Sequence, residues 1–121
     1  MERSVLVVDD SVVARMGMKK ILKGFPLAVV EASSGEDALA SLEAGLDPSL
    51  VFLDLTMPGM GGLNALRELR RRKPDLPVVV VTADIQKATI QEALEAGATE
   101  VLPKPAEGGA VLGALARAGL A

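Results

Sequence analysis

Four short apolar runs in this 121-residue chain stop at residues that could do chemistry. Val5–Val8 ends in Asp9-Asp10, Leu50–Leu53 in Asp54 with Thr56 two residues on, Val78–Val81 in Thr82-Ala83-Asp84, and Thr99–Leu102 in Pro103-Lys104-Pro105. Adjacent aspartates repel each other, and a strand end demands neither. A helix N-cap would employ Asp10 or Ser11 and leave Asp9 unexplained. Brought into one crevice, Asp9, Asp10 and Asp54 call for a neutralising cation. The chain has no His and no Cys, which leaves a hard cation held by oxygen. Mg²⁺ suits such a set, taking one or two carboxylates, backbone carbonyls, waters and phosphate oxygens. With the Thr82 hydroxyl and the Lys104 ammonium free for the remaining phosphoryl oxygens, the set reads as phosphoryl transfer onto a carboxylate.

A sheet must bring these residues together. The β-branched runs at Val5–Val8, Leu27–Val30, Leu50–Leu53, Val78–Val81 and, more weakly, Thr99–Leu102 alternate with helical segments. Those segments are Ser11–Lys23, Gly35–Ala44, Gly61–Arg72, Gln86–Ala96 and Glu107–Ala118. Their apolar stripes include Ala14, Met18, Ile21 and Leu22 in the first and Ile90, Ala93 and Leu94 in the fourth. Gly108, Gly109 and Gly113 weaken the fifth. The pattern is an α/β fold, (βα) repeated five times. Continuous rather than alternating apolar strands indicate a parallel sheet covered on both faces, a doubly wound one. Such a sheet binds its ligand beyond the carboxyl ends of its strands, where the acids, the hydroxyl and the lysine fall.

Composition narrows the function further. Aromatic residues are 2% of a chain that is 50% hydrophobic, so the core must be aliphatic. A net charge of −3 provides no global basic field for nucleic acid. The absence of Cys and His removes disulfides, thiolate chemistry, imidazole catalysis and the usual zinc sites. No apolar run is long enough to span a bilayer and no signal peptide is evident, so the expected setting is the cytoplasm without membrane insertion.

Taken in order, "VVDDS", "DLTMPGMGG", "VTAD" and "PKPA" make the chain resemble the response-regulator receiver domains, the family typified by the chemotaxis regulator CheY. The resemblance covers residues 1–121 and implies one receiver domain, a stand-alone regulator with a flavodoxin-like sheet in the order 2-1-3-4-5. It implies Asp54 as phosphoacceptor, served by a phosphohistidine on a sensor histidine kinase or a histidine phosphotransfer protein. It implies Mg²⁺ held by Asp10, Asp54 and the backbone carbonyl of Thr56, with Asp9 orienting a metal-bound water. Lys104, Thr82 and the backbone N–H of Ala83 would take the phosphoryl oxygens, and Lys104-Pro105 would be cis. The implied output is a protein target, in chemotaxis-like or phosphorelay signalling, rather than an enzymatic product. Two positions depart from the family: Val101 stands where an aromatic residue or His is usual, and Pro103 removes a backbone donor beside Lys104.

Plainer readings exist for single residues. Asp10 could cap a helix, Thr82 could be an ordinary β-branched strand residue, and Arg70-Arg71-Arg72-Lys73 could be a solvated complement to the third helix's carboxyl end. Two rival functions use the same set: a Mg²⁺-dependent phosphohydrolase with an aspartate nucleophile, or an interaction module indifferent to phosphorylation. The hydrolase would place its nucleophile in a DxD motif on the first strand, where this chain has Asp9-Asp10-Ser11, and would need a cap domain.

Overall fold

Strands and helices alternate strictly along residues 3–121, which the computed structural model describes. The elements are β1 (Arg3–Val8), α1 (Val12–Leu22), β2 (Leu27–Ala32), α2 (Gly35–Glu43), β3 (Leu50–Asp54), α3 (Gly62–Arg72), β4 (Val78–Thr82), α4 (Lys87–Glu95), β5 (Glu100–Pro103) and α5 (Gly108–Arg117). Every strand pairing is parallel and the order is β2-β1-β3-β4-β5. The expected five-stranded doubly wound sheet is therefore the observed one.

Side chains alternate across each strand and feed two cores. Leu6, Val8, Val51, Leu53, Val78 and Val80 meet Ala38 and Leu39 of α2, Leu66 and Leu69 of α3, and Ala93 of α4. Val5, Val7, Leu50, Phe52, Val79 and Val81 meet Met18 and Leu22 of α1 and Val111, Ala114 and Leu115 of α5. Both faces being covered is why β3 and β4 are buried at every residue. Each fully buried Leu or Val is worth roughly 1.5–3 kcal/mol of transfer free energy. Leu66→Ala, at a fully buried position, is expected to cost about 2–5 kcal/mol.

The helices begin and end where local chemistry allows. Ser11 caps α1 by accepting from the Ala14 N–H at 3.2 Å, and Ser34 caps α2 through the Asp37 N–H at 3.1 Å. Gly97, at φ 114°, takes the left-handed position just past α4. Helix α5 forms despite its three glycines because Val111, Ala114 and Leu115 are buried. Leu94, expected on the buried stripe of α4, points outward and leaves Ala93 as that helix's buried contact. The Arg70–Lys73 cluster is not simply solvated either. Arg70 spans two helix ends, donating to the carbonyls of Gly97, Lys73 and Pro74. Arg71 and Arg72 pair with Glu68, Arg72 also with Glu43, and Lys73 with Asp47.

Candidate functional site

The order β2-β1-β3 means that the chain leaves β1 in opposite directions across the sheet, opening a crevice at the carboxyl ends of β1 and β3. Register places Val8 beside Leu53, so the next residues, Asp9 and Asp54, become neighbours. Both are buried, while Asp10 is exposed at the mouth. One carboxylate oxygen from each of Asp9, Asp10 and Asp54 lies within 4.8 Å of the others. Lys104, one residue past β5, reaches across the crevice to 2.9 Å from Asp9 Oδ2 and 3.4 Å from Asp54 Oδ2.

The three acids are held very differently. Asp9 engages every polar atom it has. Its N–H donates to the Ala32 carbonyl at 3.1 Å, its carbonyl accepts from Arg15 Nη1 at 2.6 Å, Oδ1 accepts from the Ser11 N–H at 2.9 Å, and Oδ2 faces Lys104. Asp54 Oδ1 accepts from the Thr56 N–H at 3.2 Å, but its buried Oδ2 accepts no hydrogen bond. Burial pushes the Asp54 carboxyl above its ordinary range; the Thr56 N–H opposes that and the charge of Asp9 adds to it. Burial works against the Lys104 charge, yet Asp9 and Asp54 outweigh it and hold the ammonium above its ordinary value.

The loop after Asp54 turns back so tightly that a Cβ on Gly62 would sit 2.3 Å from the Asp54 carbonyl oxygen. Only glycine permits that approach, which starts α3 directly beneath the crevice. Met60 N–H leans on Glu36 of α2 at 3.4 Å. Thr56 stays exposed on the rim.

On the other side, Thr82 is fully buried at the end of β4, and Ala83, next to it, is exposed. Thr82 Oγ1 accepts from the Asp84 N–H at 3.1 Å. Asp84 in turn accepts from the Gln86 N–H at 3.1 Å and the Thr89 hydroxyl at 2.7 Å, which starts α4 without a side-chain bond from its own N-cap residue. The missing donor of Pro103 is made good by its neighbour: the Lys104 N–H donates to the Thr82 carbonyl at 2.9 Å. Lys104-Pro105 is cis, as the resemblance implied.

The plain cap reading of Asp10 is settled by Ser11, which is the cap. Sequence reasoning missed Arg15 as a partner of Asp9 and Asp84 as the bracket between Thr82 and α4. A first-turn arginine gives no sign in sequence of the carbonyl it will reach. An acid three residues ahead of a helix, followed by Thr89, was a readable turn signal.

A family model described as "Response regulator receiver domain" matches residues 5–116. The chain belongs to the response regulator receiver family. This receiver is 36% identical over 117 residues to the chemotaxis protein CheY of Thermotoga maritima, covering 95% of this chain and 96% of that one. Among solved structures it is similar to the Vibrio cholerae chemotaxis protein CheY4, with a TM-score of 0.89, 28% identity, and 98% and 99% of the two chains covered. It is also similar to a structure described as a CheX–CheY–BeF3–Mg²⁺ complex from Borrelia burgdorferi, with a TM-score of 0.88, 25% identity, and 98% and 90% covered. The receiver is thus a CheY-like signalling domain of two-component systems, in a family of switches rather than conventional enzymes. Among its described residues no helix is long and apolar enough to cross a membrane.

Proposed function

We propose that this receiver is a phosphorylation switch whose acceptor is Asp54. The observation that carries the reading is the contrast between two buried acids lining the crevice: Asp9 Oδ1 accepts from the Ser11 N–H and its Oδ2 holds Lys104 at 2.9 Å, whereas Asp54 Oδ2 accepts no hydrogen bond and has only the looser ion pair with Lys104 at 3.4 Å. A nucleophile needs a free lone pair, and the phosphohydrolase reading, with its nucleophile on the first strand, would put it on the wrong one.

The donor set fits Mg²⁺. Three carboxylate oxygens converge within 4.8 Å, and the single ammonium facing them, Lys104, leaves two negative charges for a cation to neutralise. Asp10, Asp54 and the Thr56 carbonyl would hold the ion, and Asp9 would orient a water bound to it. Bound there, Mg²⁺ would neutralise the acids and draw charge from the phosphoryl oxygens.

The protein's own residues supply the rest. A carboxylate oxygen of Asp54 attacks the phosphorus of a phosphohistidine carried by a sensor kinase or a histidine phosphotransfer protein. The O–P bond forms as the N–P bond breaks, and that bond's electron pair returns to the donor's imidazole nitrogen. Lys104 leaves Asp9 for one phosphoryl oxygen, the Thr82 hydroxyl donates to a second, and the Ala83 N–H to a third. The changed Thr82–Thr89 segment then alters affinity for a downstream protein.

Intact mass after incubation with acetyl phosphate or phosphoramidate and Mg²⁺ tests this. One labile phosphoryl adduct, absent in Asp54→Asn, is the expected result. Turnover of the donor without an adduct would instead support the hydrolase, and inertness the phosphorylation-independent module.

A further inference from the structure

We infer that Arg15 is a positioning residue for the metal-binding acids, acting through the backbone carbonyl of Asp9. The inference rests on the proposed Mg²⁺ site. Arg15 lies on the first turns of α1, one turn beyond its Ser11 cap, and helical spacing alone would put it on an outer face with Val12, Met16 and Lys19. The structure turns it inward instead: its side chain is only 14% exposed. Nη1 donates to the Asp9 carbonyl at 2.6 Å, and Nε donates to Glu31 at the end of β2 at 3.0 Å. Lys19 holds the other oxygen of Glu31 at 3.1 Å, so the carboxylate that orients the guanidinium is itself anchored from both sides.

This contact matters because Asp9 leads directly into Asp10. Asp10 is exposed, and no hydrogen bond or ion pair fixes its carboxylate among the described residues. Its direction depends on the peptide that precedes it. That peptide's carbonyl is clamped by Arg15, and the Ser11 N–H on the far side of Asp10 is clamped by Asp9 Oδ1. Freeing the carbonyl lets the Asp9–Asp10 peptide rotate, and Asp10 then swings away from Asp9 and Asp54. A rigid, charged fork bridging a carbonyl and a carboxylate suits arginine; the single point charge of lysine cannot hold both. Partners one shell out from a metal's ligands commonly change its affinity by about 10–100-fold.

The test compares the parent with Arg15→Lys, Arg15→Ala and Glu31→Gln. Mg²⁺ affinity is read by calorimetric titration, and urea unfolding is followed with and without Mg²⁺. The expected result is a Mg²⁺ Kd about tenfold higher in Arg15→Ala and a smaller rise in Arg15→Lys and Glu31→Gln. At saturating Mg²⁺ the phosphorylation rate from phosphoramidate should return close to that of the parent. A purely structural Arg15 predicts equal destabilisation with and without Mg²⁺ and an unchanged Kd; that result overturns the inference. Should Arg15→Ala fail to fold, unchanged Kd values in the other two variants overturn it equally. A parent that binds no Mg²⁺ brings down the metal site itself, and is told apart by appearing before any variant is made.

Discussion

Lys104 is committed to Asp9, at 2.9 Å, more closely than to Asp54, at 3.4 Å. The lysine therefore serves as counter-ion to a buried acid pair, and the proposed switch requires its release. Lys104→Ala should lose on the order of 2 kcal/mol without Mg²⁺, less than for a fully buried pair because the lysine is about a quarter exposed. Added Mg²⁺ should narrow the gap, since it replaces the missing positive charge. Because the folded Lys104 value is raised, the pair's stabilisation is present below the ordinary lysine range and lost as pH rises through the folded value. Urea midpoints across that alkaline range should fall in the parent and stay flatter in the variant.

The charge on Asp54 acts in the opposite sense, destabilising rather than stabilising the fold, although stability again falls as pH rises. Its carboxyl is raised by burial, so in the metal-free protein the ionised group destabilises the fold above its folded value, and stability is regained as pH falls toward the ordinary carboxylate range. Asp54→Asn should therefore be more stable than the parent at neutral pH without Mg²⁺, with the two converging in mild acid. The same variant should take up no phosphoryl group. Uptake at the parent's rate would exclude Asp54 as acceptor.

Asp10 is the exposed acid of the set and has the least to lose on replacement. Mg²⁺ should stabilise the parent by about 2.7 kcal/mol at one hundred times its Kd. Asp10→Ala should abolish most of that gain while leaving the metal-free melting temperature unchanged or slightly raised, since one repelling charge is gone. A variant that gains as much from Mg²⁺ as the parent would show that the ion binds elsewhere.

Most of the fold was legible because the strands are buried on both faces: runs such as Val78–Val81 carry no competing period. Helix faces were less so. Leu94 fits the stripe of α4 by spacing, yet the helix is rotated so that Ala93 takes the core contact and Leu94 faces out. Arg15 and Lys19 share a face with Val12 and Met16 by spacing, yet both turn to Glu31, a partner contributed by another element. Side chains long enough to choose among neighbours are not placed by periodicity. At the site, the residue types and their strand-end positions were readable from the chain. Which acid would be held more tightly was not, because that depends on Arg15, Ser11 and Lys104 converging on Asp9.

Arg15 and Lys19 are both drawn to Glu31, which leaves Val12 and Met16 as exposed apolar residues on the outward face of α1. Val12 and Met16 are 58% and 61% exposed; on the other side of α1 a separate cavity of about 420 Å³, lined by Val13, Ala14, Gly17 and Ile21, reaches Asp9 and Asp54. A phosphohistidine helix approaching Asp54 is expected to rest on Val12 and Met16. Val12→Ala with Met16→Ala should slow transfer from a cognate histidine donor several-fold and leave the rate from phosphoramidate unchanged. Equal slowing from both donors would instead indicate damage to the crevice.

The output should travel through Thr82 and Asp84 rather than through Val101. A hydroxyl has one proton to donate and two lone pairs to accept with. Thr82 Oγ1 already accepts from the Asp84 N–H, so its proton is free for a phosphoryl oxygen without breaking that bond. As Thr82 turns inward it draws Asp84 with it, and Asp84 brings Gln86 and Thr89 through its two carboxylate oxygens. Val101 has one stiff torsion, no polar tip, and a half-buried place against the core, so it has no long polar end to swing between buried and exposed positions. Hydrogen exchange with and without beryllofluoride and Mg²⁺ should show protection gained across Thr82–Ile90 and little change at Val101. Thr82→Ala should lose most of that gain, and Asp84→Ala should keep a response at Ala83 while losing it at Gln86–Ile90. A response centred on Val101, or an Asp84→Ala variant that protects α4 as the parent does, would rule out this route.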